Sequence, residues 1–180
     1  MDNRLVWIDL EMTGLDPSID TILEIATIIT DNDLNIIEQG PSLIIHHTKA
    51  QLDAMNDFCK TLHGNSGLTQ SALQSSISLA QAEKQTYDFI AQHCAPQTSP
   101  LCGNSIWSDR IYLQKYMPKL LQFLHYRLID VSSIKELVER WEGGKKIFKK
   151  SNTHRALDDI KESINELKFY REHYFCSKNS

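Results

Sequence analysis

Between residues 4 and 10, apolar side chains fill both alternating sets of positions: Leu5 and Trp7 on one, Val6, Ile8 and Leu10 on the other. That is the pattern of a strand buried on both faces. The same period predicts strands over 22–31 and 34–46, a hairpin turning at Asp31-Asn32-Asp33. The spacing then lengthens to three or four residues and predicts helices over 49–58 and 79–94. A short apolar run at 100–103 reads as a buried strand, and a helix over 106–116 stops before Pro118. A further short strand is expected at 127–131 and a helix at 133–141. Residues 142–152, with Gly143, Gly144 and four lysines (Lys145, Lys146, Lys149 and Lys150), read as a solvated loop. The clearest helix is the last, where Ala156, Ile160, Ile164, Leu167 and Tyr174 recur on one side and Asn152 or Thr153 is available as N-cap. Strands first, then strands alternating with helices, predict an α/β fold: a mixed sheet whose first three strands are antiparallel, flanked by helices.

Two carboxylates interrupt this apolar scheme. Asp9 and Glu11 continue the set that begins with Leu5 and Trp7. On a doubly buried strand, two unneutralised acids cost several kcal/mol in desolvation and repulsion. Side chains two apart on one strand face stand ~6.6 Å from each other, close enough to share a cation or a pair of cations. Ending the strand at Asp9 would instead leave Glu11 as a solvated loop residue. A second cluster, His154-Arg155-Ala156-Leu157-Asp158-Asp159, opens the last helix. If His154 is helical, its i+4 neighbour Asp158 is its partner; if His154 precedes the helix, Asp159 is free to turn inward. Acids at a helix start also complement its dipole with no further role. A third acid, Asp109, follows Gly103-Asn104-Ser105-Ile106-Trp107-Ser108. Acids drawn from separate elements to one sheet edge are how two-metal phosphodiesterase sites are assembled.

Composition narrows the choice. At 180 residues, with 41% hydrophobic and 23% charged positions, the chain fits one domain spanning 1–180. A net charge of −4 weighs against a protein that grips long duplexes through many Lys and Arg contacts. A small phosphate substrate remains compatible, because carboxylate-held cations invert the local field. The four cysteines, Cys59, Cys94, Cys102 and Cys176, are too scattered for a zinc site and are expected as reduced thiols. No apolar run reaches the ~18 residues of a membrane span. Nor does Met1-Asp2-Asn3-Arg4 open a secretory leader, so a cytoplasmic protein without membrane contact is expected. No G-x-S-x-G elbow occurs, and Gly143-Gly144-Lys145-Lys146 lacks P-loop spacing.

The order Asp-x-Glu on a first strand, a central Asp and a late His-x-x-x-x-Asp resembles the DEDD exonucleases of the histidine type, which share a ribonuclease-H-like fold. Within them it resembles the oligoribonuclease family, through Trp7-Ile8-Asp9-Leu10-Glu11-Met12-Thr13-Gly14-Leu15-Asp16, Cys102-Gly103-Asn104-Ser105-Ile106, His125-Tyr126-Arg127, Asp130-Val131-Ser132 and Ala156-Leu157-Asp158-Asp159-Ile160. The resemblance runs nearly end to end. It implies a 3′-to-5′ exoribonuclease degrading very short RNA, dinucleotides above all, to nucleoside 5′-monophosphates.

Two divalent cations, Mg²⁺ or Mn²⁺, would be held by Asp9, Glu11, Asp109 and Asp159, with His154 as general base. The resemblance also implies that Leu15 wedges between two bases, that Phe58 stacks on substrate, and that His63 lies near it. Ser105, Arg127, Ser132 and Ser133 would cap the 5′-phosphate, and Tyr126 would reach into a partner's site across a homodimer. A helix N-cap is the plainer reading of Ser132 and Ser133. Three features depart from the family pattern: Phe58 replaces a customary tryptophan, Trp107 stands where the family has a small residue, and the lysine loop is shorter. The competing readings are a related exonuclease acting on longer RNA or DNA, and an inactive nucleotide-binding module.

Overall fold

The central strand, β1 (Arg4–Met12), pairs antiparallel with β2 (Ile22–Asp31), and β2 pairs antiparallel with β3 (Ile36–Ile44). On its other side β1 runs parallel to β4 (Pro100–Gly103), which is parallel to β5 (His125–Asp130), giving the order β3-β2-β1-β4-β5. The helices are α1 (Lys49–Asp53), α2 (Asp57–Asn65), α3 (Leu68–Gln74), α4 (Leu79–His93), α5 (Ile106–Tyr116), α6 (Pro118–Phe123), α7 (Val131–Glu142) and α8 (Ala156–Tyr170), the last ending in a π-helical turn at Arg171–Phe175. The computed structural model describes residues 4–143, 148 and 155–175.

The alternation along β1 sorts its side chains onto two cores. Val6, Ile8 and Leu10 pack with residues of α4, α5 and α6, among them Ala82, Ile90, Leu113 and Leu120. Leu5 and Trp7 pack with Val131 and Val138 of α7 and Ala156, Ile160 and Ile164 of α8. Trp7 is wholly buried, and its indole N–H donates to the Thr30 hydroxyl at 3.0 Å, so its one polar atom is satisfied. The mixed sheet, antiparallel over its first three strands, is the architecture the pattern predicts.

Differences concentrate at element ends. β1 continues through Glu11 to Met12, because Glu11 still pairs with Glu24 of β2. The helix expected over 49–58 is two helices. Asn56 is extended (φ −67°, ψ 162°) and its side chain accepts the Cys59 N–H at 2.9 Å, capping α2 afresh. α3 and α6 were not predicted, being too short to show a period; Pro118, which stops α5, sits in the first turn of α6. α7 starts at Val131 rather than 133 because Asp130 caps it, accepting the Ser132 N–H at 2.9 Å. That contact displaces the N-cap reading of Ser132 and Ser133. The α8 cap is Arg155, with no side-chain cap bond. Asn152, Thr153, Cys176 and the four lysines of the 142–152 loop lie outside the described residues. Cys59, Cys94 and Cys102 are buried and in no disulfide. Among the described residues no helix is long and apolar enough to cross a membrane.

Candidate metal-dependent active site

The parallel strands β1, β4 and β5 all point one way, and the candidate residues gather where they end, the usual place for a ligand crevice in such sheets. Asp9 and Glu11 face the α8 side of the sheet, and α8 starts directly above them. One oxygen each from Asp9, Glu11 and Asp159 lies within 4.8 Å of the others. Asp158 is exposed, so of the two acids opening α8 it is Asp159 that turns inward. Asp109, in the first turn of α5, is buried, and its Oδ1 accepts the Leu10 N–H at 3.0 Å. That bond ties the fourth acid to the backbone between Asp9 and Glu11.

Crowding raises the proton affinity of these acids. Burial pushes Glu11 up to about 8, the charges of Asp159, Glu24 and Asp109 add to this, and Arg155 pulls it back. Burial likewise raises Asp109, against the hydrogen bond from Leu10, and the charge of Asp130 adds. Such carboxylates become favourable as anions once a cation joins them. Hard oxygen donors at this spacing suit a divalent cation of the Mg²⁺ or Mn²⁺ type.

The chain leaves β1 in a tightly held loop that displays Leu15. Asp20 accepts from the Thr13 hydroxyl at 2.9 Å and the Asp16 N–H at 3.0 Å. Its carboxylate fills the space beside Gly14, where an added Cβ would stand 2.3 Å from an Asp20 oxygen, so any other residue there would push the Asp20 carboxylate out of these bonds. From α5, the hydroxyls of Tyr112 and Tyr116 donate to the carbonyls of Gly14 (3.0 Å) and Asp20 (2.6 Å). Leu15 is left 82% exposed and, with Phe58 at 73%, borders a cleft of about 360 Å³ that also takes in Glu11 and His63. His63 is buried; its Nε2 donates to the Met12 carbonyl at 2.9 Å, and its Nδ1 stands 3.9 Å from Glu11 Oε2.

Beyond β4, Ser105 adopts the left-handed conformation (φ 48°, ψ 34°). Its N–H donates to Asp130 Oδ1 (3.0 Å) and Ser132 Oγ (2.9 Å), and the Ser132 hydroxyl donates to Asn104 Oδ1 at 3.0 Å. Ser105 and Ser132 therefore meet, but they spend donors on each other and on Asp130 and Asn104. Ser133, Arg127 and Tyr126 are exposed, and Arg127 Nε donates to the Tyr126 hydroxyl at 3.2 Å. Trp107 is 60% exposed. It sits two residues, roughly 200° of helix rotation, from Asp109, and so faces away from that acid. His154 lies outside the described residues.

Two residues gained no role from sequence reasoning and stand beside the acids. Glu24 is wholly buried on β2 opposite Glu11, and Arg155 Nε and Nη2 donate to its two oxygens at 3.1 and 3.0 Å. A lone acid inside the apolar run 22–29 was a readable signal, since a buried carboxylate demands a partner; which partner it finds is a matter of tertiary structure.

A family model described as Exonuclease, of the RNase T type, matches residues 6–167. The oligoribonuclease of Marinobacter nauticus is 54% identical over 178 residues, covering 96% of this chain and 97% of that protein. The mitochondrial oligoribonuclease of Homo sapiens is 52% identical over 180 residues, covering 99% of this chain and 76% of the relative. Among solved structures, exonuclease I from Methylocaldum szegediense superposes with a TM-score of 0.73 at 17% identity over 95% of this chain. Exonuclease I of E. coli, solved with a 5cy-dT13 oligonucleotide, gives 0.73 at 14% identity over 97%. The chain spans about two-fifths of the length of these exonuclease I chains (41% and 42%), and at such identity they speak for the fold alone.

Proposed function

We propose, for a chain that belongs to the exonuclease family and within it to the oligoribonucleases, that Asp9, Glu11, Asp109 and Asp159 hold two divalent cations, Mg²⁺ or Mn²⁺. The enzyme is a hydrolase, a 3′-to-5′ exoribonuclease acting on short RNA. The observation that carries the reading of the site is the convergence of Asp159 with Asp9 and Glu11 within 4.8 Å, although Asp159 lies 150 and 148 positions from them along the chain, beside a buried fourth acid.

Bound there, the cations would neutralise charge on the reacting phosphodiester and act as Lewis acids. The protein's share is geometric. β1 fixes two of the acids, the first turn of α8 brings the third, and the Leu10 amide holds Asp109 from behind. His154 is assigned as the base that takes a proton from the attacking water. The water oxygen bonds to phosphorus, the bond from phosphorus to the 3′ oxygen of the preceding nucleotide breaks, and a nucleoside 5′-monophosphate leaves.

The rigid loop supports Leu15 as a wedge between bases, Phe58 supplies a stacking face across the cleft, and buried His63 lines the floor. Arg127 and Ser133 are the exposed donors for a terminal 5′-phosphate, with Ser105 and Ser132 contributing where they exchange their internal bonds. A pocket that closes on a terminal phosphate favours dinucleotides, because a longer chain would clash and leave polar groups unpaired.

Tyr126, 69% exposed beside a hollow of about 800 Å³ lined by Arg110, Gln114 and His125, suits a homodimer in which it enters the partner's site. We assign the whole of 1–180 to one such domain and place the enzyme in the cytoplasm; the human relative is named as mitochondrial, so location does not follow from the fold. Hydrolysis of a dinucleotide compared with an oligomer of roughly twenty nucleotides at equal concentration tests the length limit, and faster turnover of the longer strand would refute it.

A further inference from the structure

We propose that the Glu24–Arg155 pair, a buried carboxylate held by a partly exposed guanidinium, is a positioning device for the metal site: it sets where α8 begins and so where Asp159 stands relative to Glu11. The proposal rests on the reading of Asp9, Glu11 and Asp159 as metal ligands.

Glu24 is wholly buried and faces Glu11 across the β1–β2 register. Its carboxylate receives three hydrogen bonds: two from the Arg155 fork, at 3.1 and 3.0 Å, and one from the Ser42 hydroxyl at 2.9 Å. A bidentate guanidinium–carboxylate contact fixes an angle as well as a distance. The carbonyl of the clamped residue then accepts the N–H groups of Asp158 and Asp159, at 2.9 and 3.0 Å. A continuous chain of bonds therefore leads from β2, through Arg155, to the backbone of the third acid. From the far side, the Ser163 hydroxyl donates to the Asp159 carbonyl at 2.8 Å.

Stability alone is a poor reason for such a pair, since burying the Glu24 carboxylate costs desolvation that its partly exposed partner only offsets, and apolar replacements of ion pairs with a buried member are often as stable. Its charge placement gives a better one. Arg155 cancels Glu24, which would otherwise add a further anion opposite Glu11. Glu24 in turn holds the Arg155 cation away from the carboxylates that must receive a metal ion. The two halves of the pair are thus unequal: freeing the arginine does more harm than losing it.

The test measures Mn²⁺ affinity by calorimetry at low temperature, with melting temperature recorded beside it, in the parent, Glu24→Gln, Arg155→Met and the double variant. Glu24→Gln is expected to weaken Mn²⁺ binding roughly 10- to 100-fold, the range for residues that orient metal ligands. Arg155→Met should weaken it less, and the double variant should bind better than Glu24→Gln because the loose cation is gone. Should Glu24→Gln not fold, Arg155→Lys, which keeps the charge and loses the fork, carries the test with a smaller expected loss. Mn²⁺ affinities all within about twofold of the parent, whatever the melting temperatures, would overturn the proposal. A parent that binds no Mn²⁺, or an Asp9→Ala variant that binds it as the parent does, would instead sink the reading of the ligands.

Discussion

On one face of β1, Val6, Ile8 and Leu10 stay apolar to the end of the strand beneath α4, α5 and α6. On the other, Leu5 and Trp7 give way to Asp9 and Glu11 beneath α8, and α8 brings Asp159 to the same spot. The strand, the pleat and the helical cover are common to both faces. What differs is whether burial is complete without a further partner. The apolar face closes on dispersion and the hydrophobic effect, which respond little to pH. The acidic end is a charge defect built into an otherwise ordinary core, and it becomes favourable only with added positive charge.

The largest expected effect breaks the comparison at its acidic end. Asp9→Ala should lower turnover of a dinucleotide by roughly a thousandfold or more, several kcal/mol of barrier, with the fold retained by circular dichroism. Trp7→Ala, two residues earlier on the same face, should do the reverse. It should cost about 3–5 kcal/mol in denaturant unfolding through the cavity left between β1 and α8, while the protein that remains folded keeps its metal affinity.

Next comes pH. Glu11 lies at about 8 in the metal-free fold against an ordinary value of 4.5, so the folded state favours its protonated form. Its contribution to stability is complete below 4.5, declines as pH rises, and is lost above about 8. Metal-free protein should therefore lose stability between those values, on the order of a few kcal/mol, and Glu11→Gln should flatten the decline. Added Mn²⁺ should reverse the trend, since ions bind the deprotonated acids and stabilise more as pH rises. Melting curves across this range, with and without Mn²⁺, decide it.

The smallest effects lie at the rim. Leu15→Ala should raise KM for a dinucleotide by about tenfold, by analogy with the 1–3 kcal/mol a buried apolar contact is worth to discrimination. Because Leu15 is 82% exposed, melting temperature should hold steady. Phe58→Trp, by enlarging the stacking face, should lower KM by about twofold.

These two ends of the site also differ in how far the sequence discloses them. Period-two alternation places Asp9 and Glu11 on the face of Trp7, and the ionic cost of burying them signals a cation before any coordinates are seen. Whether Asp158 or Asp159 joins them stays open in periodicity. The resemblance points to Asp159, and the structure turns it inward because Arg155 starts the helix. Asp109 reads as any first-turn acid until its bond to the Leu10 amide is visible. The rim residues Leu15, Phe58 and Tyr126 carry no physical signal in sequence at all: an exposed apolar side chain has no period and no unmet demand, so only resemblance points to them. The break at Asn56 is decided by a cap and α6 opens on a proline, while α3, at 7 residues, is too short to show a stripe, so none of the three is legible from periodicity.

Anomalous scattering from Mn²⁺ in crystals of this protein tests the central claim most directly. A peak within about 2 Å of carboxylate oxygens from Asp9, Glu11 and Asp159 together is the predicted result. Density that leaves these three acids bare while Mn²⁺ supports hydrolysis in solution would contradict it.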